Sequence, residues 1–212
     1  FVGVKNAVST MNGTSALHLA LKALEVGYDD LVIMPNITFV ASANAISYLG
    51  AKPLLIDIDE NSWQMDLELL EDYLKNNCSF DSRMRVIDQK TQKNVAAIMI
   101  VHVQGNICNM SRLKEIANKY NLPLIEDAAE ALGSKYYNSY AWTLSDVGCY
   151  SFNGNKIIST GGGGMVVGKS EKIMKKIKHL STTAKTDPLR YFHDEVGYNY
   201  RLVNILAAVG LA

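Results

Sequence analysis

Residues 147–164 read VGCYSFNGNKIISTGGGG. Val147–Ser151 has the composition of a short strand, and it feeds a loop that carries Lys156 and ends in four glycines, Gly161–Gly164. A lysine in a turn is ordinarily surface. It becomes chemistry only where its amine is made a nucleophile and is given a carbonyl to attack. What decides between those readings is what the other strands deliver to the same place.

Upstream, a strand at about 7–11 runs into Asn12-Gly13-Thr14-Ser15 and then at once into a helix with Leu17, Ala20, Leu21 and Leu24 on one face. Asn12 or Thr14 can cap that helix, and Gly13 lets a ligand approach the backbone closely. Such a start is an anion site, because N–H groups without helical partners and the helix dipole point to one spot. Strands follow at 31–34, 53–56, 95–101, 122–126, 147–151 and 165–167, separated by helices near 40–48, 66–75, 110–120 and 170–180. The run 95–101 is apolar throughout, as a parallel strand covered on both faces should be. Residues 76–94 read as the one long irregular segment. Tyr136, Tyr137 and Tyr140 suggest a hairpin at an edge. The alternation predicts an α/β domain with a seven-stranded, mostly parallel sheet flanked by helices.

In such sheets ligands sit outside the carboxyl ends of the strands. Three features fall there: the Gly13-Thr14-Ser15 helix start, Asp127 after the fifth strand, and Ser151 with Lys156 after the sixth. An anion cradle, a carboxylate and a loop lysine are what pyridoxal phosphate requires. The cradle takes the phosphate, the carboxylate keeps the pyridine nitrogen protonated, and the lysine forms the Schiff base.

Composition removes other classes. Lys plus Arg equals Asp plus Glu at 21 each, with no basic stripe, which argues against nucleic acid. Cys78, Cys108 and Cys149 are odd in number and lack metal-ligand spacing, so no metal is expected and the thiols read as free in a reducing, cytoplasmic setting. No signal peptide or bilayer-length apolar run is seen. The chain lacks an initiator Met and stops inside a helical pattern, which leads us to expect a fragment.

The segments NGTSALHLAL, PNITFVASANAISYLGAKPLLIDID, IMIVHVQGN, IEDAAEALGSKY, SDVGCYSFNGNKIISTGGGGMVV and GYNYRLVNILAA together resemble the DegT/DnrJ/EryC1/StrS sugar aminotransferases, enzymes of pyridoxal-phosphate fold type I. The resemblance spans nearly the whole chain. It implies that residues 1–212 are the cofactor-binding large domain, without an N-terminal segment and a small C-terminal domain. It implies that Lys156 is the Schiff-base lysine and proton shuttle, that Asp127 meets the pyridine nitrogen, and that Glu130 lies near the phenolic oxygen. Gly13, Thr14, Ser15 and Ser151 would hold the phosphate, with Phe39 against one ring face. Asn199 would serve the cofactor of a second subunit in a homodimer with composite sites. His102, His193 and Arg201 are candidate substrate contacts.

Two positions depart from the pattern: many relatives have Gln where Glu130 stands, and an acid where Gly162 stands. A carboxylate only accepts hydrogen bonds unless protonated. The long 76–94 segment and HDEVGYNYR look most like the subgroup acting on nucleotide-linked 4-keto-6-deoxy-N-acetylhexosamines. The function expected is transamination of such a UDP-linked keto sugar with glutamate as donor. A pyridoxamine-dependent sugar dehydratase would carry histidine in place of Lys156. The other alternative is a regulatory cofactor-binding domain fused to a DNA-binding module, for which no basic recognition helix is visible in these residues; the full-length reading frame would decide. His18 reads as a packing residue and 193–195 as a solvated loop or a substrate contact.

Overall fold

The computed structural model describes residues 1–187 and 189–212. Its elements run β1 (Asn6–Thr10), α1 (Gly13–Ala23), β2 (Leu31–Pro35), α2 (Ala41–Ser47), β3 (Lys52–Ile56), α3 (Leu67–Asn77), β4 (Cys78–Phe80), β5 (Val86–Asp88) and β6 (Lys93–Val101). They continue with α4 (Met110–Lys119), β7 (Leu124–Asp127), β8 (Lys135–Tyr136), β9 (Ser139–Tyr140), β10 (Val147–Ser151), β11 (Gly164–Gly168), α5 (Glu171–Ser181), β12 (Lys185–Asp187), β13 (Phe192–His193) and α6 (Asn204–Leu211). The expected seven strands form one path, β1-β11-β10-β7-β6-β2-β3. Strands β10, β7, β6, β2 and β3 are parallel to one another, and β11 runs antiparallel between β10 and β1, so that β1 points the same way as the parallel five.

The irregular reading of 76–94 is corrected. A β4–β5 hairpin forms there, and β5 adds antiparallel to the start of β6, so the sheet has nine strands. The hairpin hides its strand signal because it buries a polar residue, Asp88, beside Val86. The tyrosine hairpin forms as the separate pair β8–β9.

Alternation along the strands builds two cores. Val32, Met34, Ala97, Met99 and Ile125 face α1, α2 and α5, whereas Leu31, Ile33, Ile98, Ile100 and Leu124 face α3 and α4. Helix α1 is almost wholly covered, with Leu17, Leu19 and Leu21 at most 2% exposed. Each such leucine contributes roughly 1.5–3 kcal/mol, so the helix start is held rigidly against the sheet. No helix among the described residues is long and apolar enough to cross a membrane.

Strand order reverses between β2 and β6: the chain moves outward from β2 to β3, then returns through β6 to β7 and β10. A crevice outside the carboxyl ends belongs at such a switch point.

Candidate active site

A cavity of about 550 Å³ opens at that place, lined by the residues that follow β1, β2, β6, β7 and β10. That volume lies in the range of small-molecule sites. Its floor is the first turn of α1. Asn12 is the cap: its backbone is extended and its Oδ1 accepts the Ser15 N–H at 2.7 Å. Gly13 is required by close approach, since a Cβ there would stand 2.9 Å from Ser151 Cβ. Gly164 serves the same end from β11, where a Cβ would meet the Asn12 backbone at 2.6 Å. These two glycines let β10 and β11 press the helix start into the cavity. Gly13, Thr14 and Ser151 line it; Ser15 is buried with its N–H used by the cap.

Asp127, at the end of β7, is 6% exposed. Its Oδ2 accepts Ser42 Oγ–H at 2.7 Å and its Oδ1 accepts the Ala129 N–H at 3.1 Å. Burial pushes its carboxyl above the usual carboxylate range, with Ser42, the Ala129 N–H, His102 and Lys156 opposing that push. Two donors leave a buried carboxylate short of partners. The group is therefore ready to accept a further N–H or positive charge from the cavity.

Lys156 sits in the loop after β10, closed by Lys156 N–H to Asn153 O at 3.0 Å and Thr160 N–H to Phe152 O at 3.1 Å. Its side chain is 13% exposed, and Nζ donates to Glu130 Oε1 at 3.1 Å. The second Glu130 oxygen accepts the Gln104 N–H at 2.9 Å. Burial would raise the Glu130 carboxyl, but the Gln104 and Lys156 bonds outweigh it and the net shift is downward. Both partners are donors, so position 130 needs two acceptor oxygens; a carboxylate supplies them and a glutamine amide supplies one. This gives the acid at that position a physical reason. Phe39 is largely exposed on the cavity wall, with its ring centroid 5.9 Å from Lys156 Nζ.

His102 also lines the cavity, but a free substrate contact does not fit its surroundings. The residue is fully buried and its Nε2 lies 2.8 Å from Glu126 Oε2. His193 is exposed and donates through Nδ1 to Thr183 O at 2.7 Å. Arg201 and Asn199 are exposed, and none of these three lines the cavity. His18 packs among Tyr48, Tyr198 and Tyr200, as read from the sequence. Ser42, Thr38 and Gln104 were not foreseen. Thr38 Oγ1 lies 2.9 Å from Ser42 Oγ, and that pair orients the bond to Asp127. A Ser/Thr pair at a helix start gives no signal of a partner 85 residues away.

The whole chain, residues 1–212, matches the family described as "DegT/DnrJ/EryC1/StrS aminotransferase family". A GDP-perosamine synthase of Escherichia coli O157:H7 is 43% identical over 99% of this chain and 53% of its own length. A UDP-4-amino-4,6-dideoxy-N-acetyl-beta-L-altrosamine transaminase of Campylobacter jejuni is 36% identical over 100% of this chain and 52% of its own. Among solved structures, a DegT DnrJ EryC1 StrS aminotransferase from Brucella abortus superposes with a TM-score of 0.88 at 28% identity, covering 99% of this chain and 54% of that one. The chain spans about half the length of the curated relatives it matches. Pyridoxal phosphate is the cofactor of this family, and the cavity fits it. The glycine-lined helix start can take an anion, the under-satisfied Asp127 a protonated ring nitrogen, and Lys156 an aldehyde.

Proposed function

The chain belongs to the DegT/DnrJ/EryC1/StrS aminotransferase family, and from that premise we propose that residues 1–212 are the cofactor-binding large domain of a nucleotide-sugar aminotransferase. One observation carries the reading: Lys156 Nζ, the Asp127 carboxylate and the Gly13–Thr14 helix start border a single cavity. When bound, pyridoxal phosphate supplies an electron sink for the carbon that loses and regains a proton.

The chain's own groups do the rest. Gly13, Thr14 and Ser151 bind the phosphate, and Asp127 holds the ring nitrogen's proton, oriented by Ser42 and the Ala129 N–H. Glu130 anchors Lys156 when its amine is free. Lys156 Nζ takes the proton from the amino donor, for which glutamate is the expected compound, and returns one to C4 of a keto sugar. Phe39 covers one side of the ring. Asn199, away from this chain's own cavity, serves a second subunit in a homodimer with composite sites, and His193 and Arg201 belong to the sugar-nucleotide side.

For the sugar, the sequence reading favours a UDP-linked 4-keto-6-deoxy-N-acetylhexosamine. A GDP-linked keto sugar is the second reading, favoured by the 43% identical GDP-perosamine synthase. Turnover of both substrate types by the full-length protein, with C4 stereochemistry read by NMR, decides between them. Absence of turnover with every nucleotide-linked keto sugar would sink the proposal.

A further inference from the structure

Glu126 and His102 form a pair for which the reaction above has no use. Side chains at 126 and 102 leave the sheet on the face opposite Asp127, because β6 and β7 run parallel with Ile100 beside Glu126 and Val101 beside Asp127. Glu126 is 1% exposed and His102 is fully buried. Glu126 Oε2 lies against His102 Nε2 and also accepts the Trp142 N–H. Glu126 Oε1 and His102 Nδ1 have no hydrogen-bond partner among the described residues.

A carboxylate at this depth is costly unless a cation or a proton offsets it. The titratable groups facing the pair can be taken in turn. Cys108, ahead of α4, is pushed up to about 12 by burial, and burial raises the Tyr150 phenol further, so both are neutral acids. Cys149 of β10, beside Asp127, is likewise raised by burial. Lys156, the cavity's ammonium, is bonded to Glu130. Among the described residues, His102 is the ionisable side chain bonded to Glu126. Its backbone is also tied to Asp127, whose backbone oxygen accepts the His102 backbone N–H at 3.1 Å.

We propose that Glu126 and His102 are a positioning pair for Asp127: Glu126 fixes the imidazole and its proton behind the cavity, and that charge keeps Asp127 ionised for the cofactor's ring nitrogen. The proposal rests on the assignment of Asp127 above. It explains why a histidine at the cavity wall is turned away toward a carboxylate. The field of His102 works against the upward push that burial exerts on Asp127. Without the imidazolium, two carboxylates on adjacent residues would share one low-dielectric region, and one of them would take up a proton.

The test is a double-mutant cycle on full-length, cofactor-loaded protein with Glu126→Gln, His102→Gln and the double variant. The readouts are pyridoxal phosphate affinity, then kcat and KM separately. His102→Gln leaves Glu126 a bare anion, so affinity should fall about tenfold, the equivalent of one pKa unit, and kcat should fall while KM for the sugar holds. The double variant should regain most of that affinity, because the anion has gone too. No rescue, or a loss confined to sugar KM, would overturn the proposal and return His102 to the role of substrate contact. Cofactor affinity is read without sugar, so a failed sugar assignment leaves this outcome interpretable. If His102→Gln does not fold, ¹⁵N NMR of the unmodified protein replaces it: both His102 ring nitrogens should be protonated at neutral pH, and a single protonated nitrogen would overturn the pairing.

Discussion

Asp88 and Asp127 are both buried, 2% and 6% exposed, on opposite ends of one sheet. Asp88 ends β5 near the amino ends of the parallel strands. It accepts Tyr73 O–H at 2.5 Å, Thr91 N–H at 2.7 Å and Thr91 Oγ–H at 2.5 Å. Burial alone would raise its carboxyl, but these donors outweigh the penalty and hold it below the usual range. Asp127 has two donors, and there burial wins. Burial, then, does not separate structure from function; satisfaction does. A carboxylate whose lone pairs are filled fastens a hairpin, and one left short is poised for a ligand.

The largest effect expected from this contrast is on catalysis. Asp127→Asn should lower kcat by about 10²–10³, the scale of losing one preorganised electrostatic partner, while the cofactor-free protein loses no stability. The sign follows from the shift. A carboxyl raised in the folded state costs stability as pH climbs from its unfolded toward its folded value, and asparagine lacks that cost. Melting curves of the cofactor-free variant and parent across pH check it; a large drop in melting temperature would place Asp127 with Asp88.

Asp88→Asn should do the reverse. Activity per folded molecule should hold, and stability should fall by about 3 kcal/mol, since several donors lose part of a charge-assisted bond. Its pH dependence is also opposite: a depressed carboxyl contributes above its unfolded value and loses that contribution as pH falls through the folded one. Denaturant titrations from neutral to acid pH read this directly. Gly13→Ala comes next, at roughly 1–3 kcal/mol for a Cβ forced against Ser151, together with weaker cofactor binding measured by equilibrium titration. Lys175→Ala, which removes an exposed i,i+4 pair with Glu171, should change neither melting temperature nor turnover measurably.

The same contrast marks how far the sequence could be read. The parallel strands were legible because β2, residues 95–101 of β6 and residues 147–150 of β10 carry no charged side chain, and Asp127, Ser151 and Lys156 stood out as polar groups at or past the ends of strands. The β4–β5 hairpin was not, because its buried anchor is an aspartate among polar neighbours and looks like a loop. Ser42 and Gln104 were silent for another reason: each acts on a carboxylate brought near only by the fold, Ser42 from α2 and Gln104 by a backbone N–H that any residue would offer. His102 was visible as a residue ending a strand, but its partner Glu126 was hidden within IED, where Asp127 drew the chemistry.

The central claim is that Lys156 bonds the cofactor in this cavity. Borohydride reduction of the full-length protein loaded with pyridoxal phosphate, followed by peptide mapping, addresses it in one step. The account predicts a phosphopyridoxyl group on Lys156 and loss of the visible absorbance. A tag on another lysine, or no tag with cofactor demonstrably bound, would contradict it.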